Sequence, residues 1–108
     1  MMEYLVKRED IKRAPIHPGV IFADIAMPEL RKTRTVAEIA TLLGVSRQNL
    51  YRVMAGEVSI TPDVAARLGK LCGNGAGVWL RLQANYDAWE ATHRLKNELA
   101  KIPTVRVA

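Results

Sequence analysis

At 108 residues, with 49% hydrophobic and 25% charged residues, the chain has the composition of one globular domain, which excludes a fibrous repeat and a mainly disordered protein. The surplus of 16 Lys and Arg over 11 Asp and Glu, a net charge of +5, favours a polyanionic partner without identifying one. No apolar run approaches the ~20 residues of a membrane span and the N-terminus is charged, so we expect a cytoplasmic protein with no membrane partner.

The two ends of the chain differ in pattern from its middle. Residues 1–16 begin with a charged segment that has no sustained period, and we interpret them as an N-terminal arm ahead of a domain that spans residues 17–108. The β-branched residues at 104–107 either pair with another segment or remain loose, and the sequence does not decide between these alternatives.

The first helix is predicted from two prolines. Pro18 suits the first turn of a helix, and Pro28 is expected to end that helix near Met27, because a proline ring inside a helix clashes with the preceding turn. His17 is a weak candidate for a metal ligand or a catalytic base, since the other histidine, His93, has no Cys or acidic cluster at metal-ligand spacing. A structural role for His17 is therefore favoured, and no metal, cofactor or catalytic residue is predicted.

A basic loop, PELRKTR at 28–34, separates the first helix from the second. Thr35 can cap the second helix, and the exposed amides at a helix start favour phosphate oxygens. Arg34, together with Arg31 and Lys32, would assist such a contact. For any one of these residues a solvated surface loop is an equal alternative, whereas the group as a whole favours phosphate.

The most informative stretch is VAEIATLLGVSRQNLYRVM at 36–54, which predicts a helix-turn-helix. Ala40 is small where two helices that cross at about 90–120° bring their backbones close. Gly44 follows the apolar run Ile39, Ala40, Leu42 and Leu43, where the chain needs a left-handed residue to leave the helix. Ser46 is the expected N-cap of the next helix, which starts at Arg47.

That second helix has the side chains of a recognition helix. Leu50, Val53 and Met54 are expected to face inward, and the outward set is Arg47, Gln48, Asn49, Tyr51 and Arg52. Arg pairs bidentately with guanine, Gln and Asn pair with adenine, and Tyr can donate to a phosphate. An ordinary helical hairpin with a solvated polar face is the alternative, but four spaced constraints beside a donor-rich helix favour DNA binding.

A fourth helix is expected from Pro62 to about Cys72, because Thr61, Pro62 and Asp63 each suit the unsatisfied amides of a helix start. Its apolar residues recur at intervals of three and four residues and are expected to close the core, while Arg67 and Lys70 are expected to face water. Cys72 is the one cysteine, cannot form an intrachain disulfide, and is interpreted as a buried inert thiol.

A fifth helix is expected over residues 78 to about 99, after a glycine-rich break. A stripe at steps of three and four runs along it: Trp79, Leu82, Tyr86, Trp89 and His93. Such a stripe is most often core, but its aromatic area also suits contact between two subunits, and we expect both uses.

These blocks resemble a known family, the HigA-type antitoxins of the phage-repressor-like (XRE/Cro-type) helix-turn-helix superfamily. The resemblance lies in HPG at 17–19, LGVSRQNLYRVMAGEVSITPDVAARLGKL at 43–71 and WLRLQANYDAWE at 79–90. It implies an all-α, five-helix homodimer that represses its own operon, with a RelE/HigB-like mRNA-cleaving toxin as partner. By position it assigns base-reading and adjacent backbone roles to Ser46, Arg47, Gln48, Asn49 and Arg52, and dimerisation to Trp79, Leu82, Tyr86 and Trp89.

Taken together, the sequence predicts an all-α, five-helix repressor-like domain with an N-terminal arm and a long C-terminal helix. We expect it to bind double-stranded DNA at an operator with an inverted repeat, as a homodimer, and not to be an enzyme. Two alternatives remain open: a solitary repressor without a toxin, and a protein-interaction module that only inhibits a partner.

Overall fold

The computed structural model describes residues 14–107, and within them all regular structure is helical. The predicted all-α class with a long C-terminal helix is confirmed, although residues 1–13 of the predicted arm lie outside the described residues. A continuous helical run, α1, consists of Pro18–Ile21, Phe22–Ala26 and Met27–Leu30. The others are α2 Val36–Leu43, α3 Arg47–Met54, α4 Pro62–Cys72, α5 Ala76–Arg94 and the short α6 Lys96–Leu99.

The predicted end of α1 near Met27 is wrong, because the helical run continues to Leu30. Its middle segment, Phe22–Ala26, is a π-helix, in which the amide of Met27 donates to the carbonyl of Phe22 five residues earlier. The wider π turn relieves the clash between a proline ring and the carbonyl four residues before it. Pro28 therefore falls in the first turn of the last segment instead of ending the helix.

The helix-turn-helix forms where the sequence predicts it. Gly44 ends α2 in the left-handed region with φ of 71°, and the amide of Val45 donates to the carbonyl of Ala40 at 3.0 Å. The end of α3 uses the same arrangement, with the amide of Glu57 donating to the carbonyl of Arg52 at 2.9 Å after Gly56. Both are Schellman-type ends, which satisfy carbonyls that a helix leaves free.

The start of α5 packs directly on α4 through backbone. A Cβ built on Gly69 would lie 2.2 Å from the carbonyl carbon of Gly75, so no side chain fits between the two helices. The long helix begins two residues before the predicted Val78 and ends at Arg94, since Leu95 leaves the helical region before α6 continues to Leu99.

The core gathers side chains from α1 to α5. Phe22 is fully buried and lies edge-on to Trp79 at a ring-centroid distance of 6.3 Å, and Leu82 from α5 joins the same cluster. Leu42, a member of the apolar run before Gly44, is 48% exposed, and Ile25 on α1 is 49% exposed. Cys72 is half-buried, and burial raises the pKa of its thiol, which suits an inert residue. No described helix combines the length and apolar character that a membrane span requires.

Candidate nucleic-acid interface

The orientation of α3 follows from one cap and two buried residues. The hydroxyl of Ser46 accepts from the amide of Asn49 at 3.0 Å, so Ser46 is the N-cap that the sequence predicts. Leu50 and Val53 are 1% and 3% exposed in the core beneath the helix. The opposite side of α3 is thereby fixed toward solvent.

Four of the side chains predicted to contact DNA share that outward surface: Arg47, Gln48, Tyr51 and Arg52. They line shallow depressions on the two sides of a ridge formed by Gln48 and Arg52, which are one helical turn apart. Asn49 is only half-exposed at the edge of the surface. Its backbone N–H donates to the Ser46 cap, and its side-chain carboxamide is not part of that bond. The surface therefore offers guanidinium, carboxamide and phenol donors together, the groups that read bases and hold phosphates.

Arg52 has an acidic neighbour in the loop after α3. Its Nε lies 3.9 Å from a carboxylate oxygen of Glu57, and both side chains are more than half exposed. An exposed pair at this distance contributes about 0–1 kcal/mol. Glu57 therefore holds the guanidinium weakly enough for a nucleic acid to compete for it.

The start of α2 carries a reciprocal cap between Thr35 and Glu38, of which the sequence predicted only the part of Thr35. The hydroxyl of Thr35 accepts from the amide of Glu38 at 3.1 Å, while the amide of Thr35 donates to the Glu38 carboxylate at 2.8 Å. These hydrogen bonds, led by the one from the backbone of Thr35, hold the pKa of the Glu38 carboxyl below its ordinary value. The amides of Val36 and Ala37, ahead of the first intrahelical bond, are the ones left for a phosphate.

Two cations of the basic loop before α2 differ in their contacts. Lys32 lies 3.0 Å from Glu29 in an exposed ion pair. Arg34 is exposed next to the α2 start, where its guanidinium donates to the hydroxyl of Thr33 at 3.3 Å. Arg34 and Thr35 are thus placed side by side at this helix start, whereas Lys32 is engaged on α1.

Arg67 is exposed, as predicted, and its guanidinium also supports the turn of the helix-turn-helix. Its guanidinium donates to the carbonyl of Leu43 at 3.4 Å and lies over Gly44, where a Cβ would meet it. A cation near the last carbonyls of a helix is favourable. No local signal reveals this contact, because Arg67 belongs to α4, 24 residues away from Leu43.

The predicted dimerisation residues separate into two pairs. Trp79 and Leu82 are 3% and 2% exposed in the chain's own core, so their side chains are not presented to a second chain. Tyr86 and Trp89 are half-buried further along α5, and the indole of Trp89 stacks on His93 at 4.1 Å. The indole N–H of Trp89 is buried without a hydrogen-bond partner in the described part of the chain.

Comparison with known proteins relates this chain to helix-turn-helix regulators. A helix-turn-helix domain family matches residues 29–77. The HTH-type transcriptional regulator YbaQ of Escherichia coli K12 is 35% identical over 97 residues, which cover 86% of this chain and 82% of that protein. Its relatives are thus DNA-binding regulators, and the family is not one of known enzymes.

Two solved structures are similar over most of their length. An addiction module antidote protein of the HigA family from Coxiella burnetii shares 32% identity with a TM-score of 0.73, over 87% of this chain and 100% of that one. The Pseudomonas aeruginosa antitoxin HigA, solved with the higBA promoter, shares 28% identity with a TM-score of 0.74, over 85% and 99%. The chain belongs to the HigA-type antitoxin family of helix-turn-helix transcriptional regulators, as its motifs predicted.

Proposed function

We propose that this protein is a dimeric repressor of its own operon and the antitoxin of a type II pair, neutralising a RelE/HigB-like mRNA-cleaving toxin. One observation carries the DNA-binding part of the proposal. The capped and half-buried helix α3 exposes Arg47, Gln48, Tyr51 and Arg52 on a single surface. Base edges in a major groove present the acceptors and donors that this set matches.

The contacts divide into two kinds. Arg47 and Gln48, in the first turn of α3, read base edges, with Asn49 and Arg52 at the sides of the same surface. Arg34, Thr35 and the start of α2 hold phosphates, and Tyr51 donates to the backbone. Ser46 acts through the cap that orients this first turn.

A dimer is proposed on energetic grounds. One short helix touches only a few base pairs, and a single module of this size rarely binds one site tightly at physiological salt. Two-fold symmetry would place two copies of α3 about 34–36 Å apart on an inverted repeat. Tyr86 and Trp89 on α5 are the proposed contacts, within a domain of residues 17–108 that follows an arm of residues 1–16.

The toxin partner is proposed from the family and from the C-terminal segment. The antidote protein of Coxiella burnetii is described as part of an addiction module. Here Ile102, Val105 and Val107 are 64%, 75% and 90% exposed, although they are apolar. Such a segment can add a strand to an exposed sheet edge of a partner protein. The apolar patch Tyr4, Leu5 and Val6 is proposed to act in the same way and lies outside the described residues.

Two experiments test the two halves separately. A mobility shift on the DNA upstream of its own gene should show specific binding that Arg47→Ala weakens, whereas an exposed control, Lys70→Ala on α4, should leave it unchanged. Binding equal to that on random DNA would contradict the repressor assignment.

Co-expression with the neighbouring gene tests the antitoxin half. We expect a stable complex and relief of growth arrest, and deletion of residues 102–108 should weaken the complex without changing operator binding. A neighbour that neither binds nor arrests growth would leave a solitary repressor, the alternative that the description of YbaQ as a transcriptional regulator favours. If the mobility shift shows no specific DNA binding but the neighbouring product is bound, the protein is an inhibitory interaction module.

A further inference from the structure

The HPG motif lies where α1, the loop after α3, and α5 meet. His17 is only 6% exposed, and Pro18 and Gly19 are buried with it. His17 is the N-cap of α1, since its Nδ1 accepts from the amide of Gly19 at 2.9 Å. The structural role predicted for His17 is thus confirmed, but a cap alone does not require an imidazole, because Asn, Asp and Ser cap at least as well.

The remaining contacts of the ring reach beyond α1. Toward α5, the imidazole lies edge-on to Tyr86 at a centroid distance of 4.9 Å. Toward the loop after α3, a Cβ built on Gly56 would lie 3.3 Å from the Cβ of His17 and 3.4 Å from its Cγ, and the backbone of Val58 acts to raise the pKa of the ring. One side chain therefore touches the segment that ends the recognition helix and the helix that carries the proposed dimer contacts.

The adjoining backbone makes the same junction tight. A Cβ built on Gly19 would lie 1.8 Å from the carbonyl oxygen of Val53, in the last turn of α3. On the far side of the loop, the amide of Ile60 donates to the buried Oε1 of Gln83 on α5 at 2.8 Å. The C-terminal end of α3 is thus held against α1, and the loop that follows it is held against α5.

We propose that His17 is a positioning residue for operator recognition, whose neutral imidazole holds the end of α3 against α5 and so fixes the recognition helix relative to the dimer. This inference rests on the proposed dimeric repressor. In a dimer the spacing and tilt of the two α3 helices must match two half-sites at once. A small change at the end of α3 therefore affects operator binding more than it affects folding of the chain.

Protonation should release this contact. Burial lowers the pKa of His17, against the opposing effects of the Asp87 carboxylate and the Val58 carbonyl. Asp87 itself accepts from Gln83 at 2.9 Å, Tyr86 is the titratable residue of α5 whose ring contacts His17, and Glu57 in the loop lies toward Arg52. A protonated Nδ1 cannot accept from Gly19, so the interaction is complete above about pH 6.5, the ordinary pKa of histidine, and is lost as the pH falls below it.

Two substitutions separate capping from positioning. His17→Asn places an amide oxygen near the position of Nδ1 and keeps the cap, but it does not reach Tyr86 or Val58. His17→Gln places an amide nitrogen near the position of Nε2 and keeps the donor toward Val58. Neither variant titrates in the physiological range.

The measurements are operator affinity and melting temperature at about pH 7.5 and about pH 5.5, a range that spans histidine titration. For the unaltered protein we expect operator affinity relative to random DNA to fall several-fold at the lower pH, because protonated His17 no longer accepts from Gly19. Both variants should lose this dependence, and His17→Asn should bind the operator weakly at either pH while melting close to the unaltered protein. Lys70→Ala, at an exposed site on α4 away from these contacts, should keep the full dependence.

If His17→Asn binds the operator as well as the unaltered protein does, His17 only caps α1 and the proposal is wrong. A pH dependence that persists in both variants would also overturn it. If the upstream DNA of its own gene is not bound at any pH, autoregulation fails instead, and the same comparison on a site selected from random DNA still tests His17.

Discussion

The contact between Gly19 and Val53 gives the sharpest prediction about this fold. Replacing Gly19 by alanine would put a Cβ 1.8 Å from the carbonyl oxygen of Val53 and 3.1 Å from Nδ1 of His17. A carbon and a carbonyl oxygen rarely approach closer than about 3.3 Å, so α1 and α3 must separate by about 1.5 Å. The obstacle is backbone, which cannot rotate out of the way.

The magnitude follows from two opposing effects. Overpacking a well-packed site costs about 1–3 kcal/mol, and an immovable neighbour places this site near the upper end. Alanine is favoured over glycine in a helix by up to about 1 kcal/mol, which offsets part of the cost. We expect a net loss of about 2 kcal/mol, or a fall in melting temperature of about 8–16 °C for a domain of this size.

The matched control is Gly77→Ala. Gly77 occupies the second position of α5, as Gly19 does in α1, but the nearest atom to its Cβ is the flexible end of Arg81 at 3.1 Å. Thermal unfolding followed by circular dichroism should show Gly77→Ala unchanged or slightly more stable. Equal melting temperatures for the two variants would refute the close backbone contact.

Three further predictions concern DNA and the dimer. Arg47→Ala or Gln48→Ala should cost about 1–3 kcal/mol on the operator and little on random DNA, and equal losses on both in a mobility shift would remove them from base reading. Arg34→Ala should weaken binding to all sequences and lower the slope of log affinity against log salt concentration by about one, because Arg34 neutralises a phosphate. An unchanged slope in a salt titration would show that Arg34 contacts only solvent. Tyr86→Ala or Trp89→Ala should weaken dimerisation and operator binding together, and sedimentation that finds a monomer bound to the full site would contradict the dimer.

The features predicted best from sequence are those whose cause is local. The hydroxyls of Thr35, Ser46 and Thr61 each accept from a backbone amide three residues later, and Gly44 supplies a positive φ. Each of these helix boundaries is therefore determined by residues within a few positions of it. The outward surface of α3 could be predicted for the same reason, since helical periodicity assigns sides once the cap is known.

What the sequence missed depends on contacts between distant segments. Arg67 on the turn, Gln83 beneath Ile60 and the backbone contact at Gly69 join residues that lie in separate helices or loops, and no periodic pattern marks them. The predicted end of α1 near Met27 was wrong because a proline usually ends a helix, whereas here a π segment precedes Pro28 and the helical run continues. Trp79 and Leu82 were assigned two uses because an aromatic stripe looks alike whether its partner is the chain's own core or a second chain.

The central claim is that two copies of α3 read an inverted repeat in the DNA upstream of this gene. Hydroxyl-radical footprinting on that DNA, with the protein's mass in the complex measured by sedimentation, tests it most directly. We expect a dimer that protects two half-sites whose centres are about 10 base pairs apart on one side of the duplex. Protection of a single site by a monomer, or protection that does not depend on Arg47 and Gln48, would contradict it.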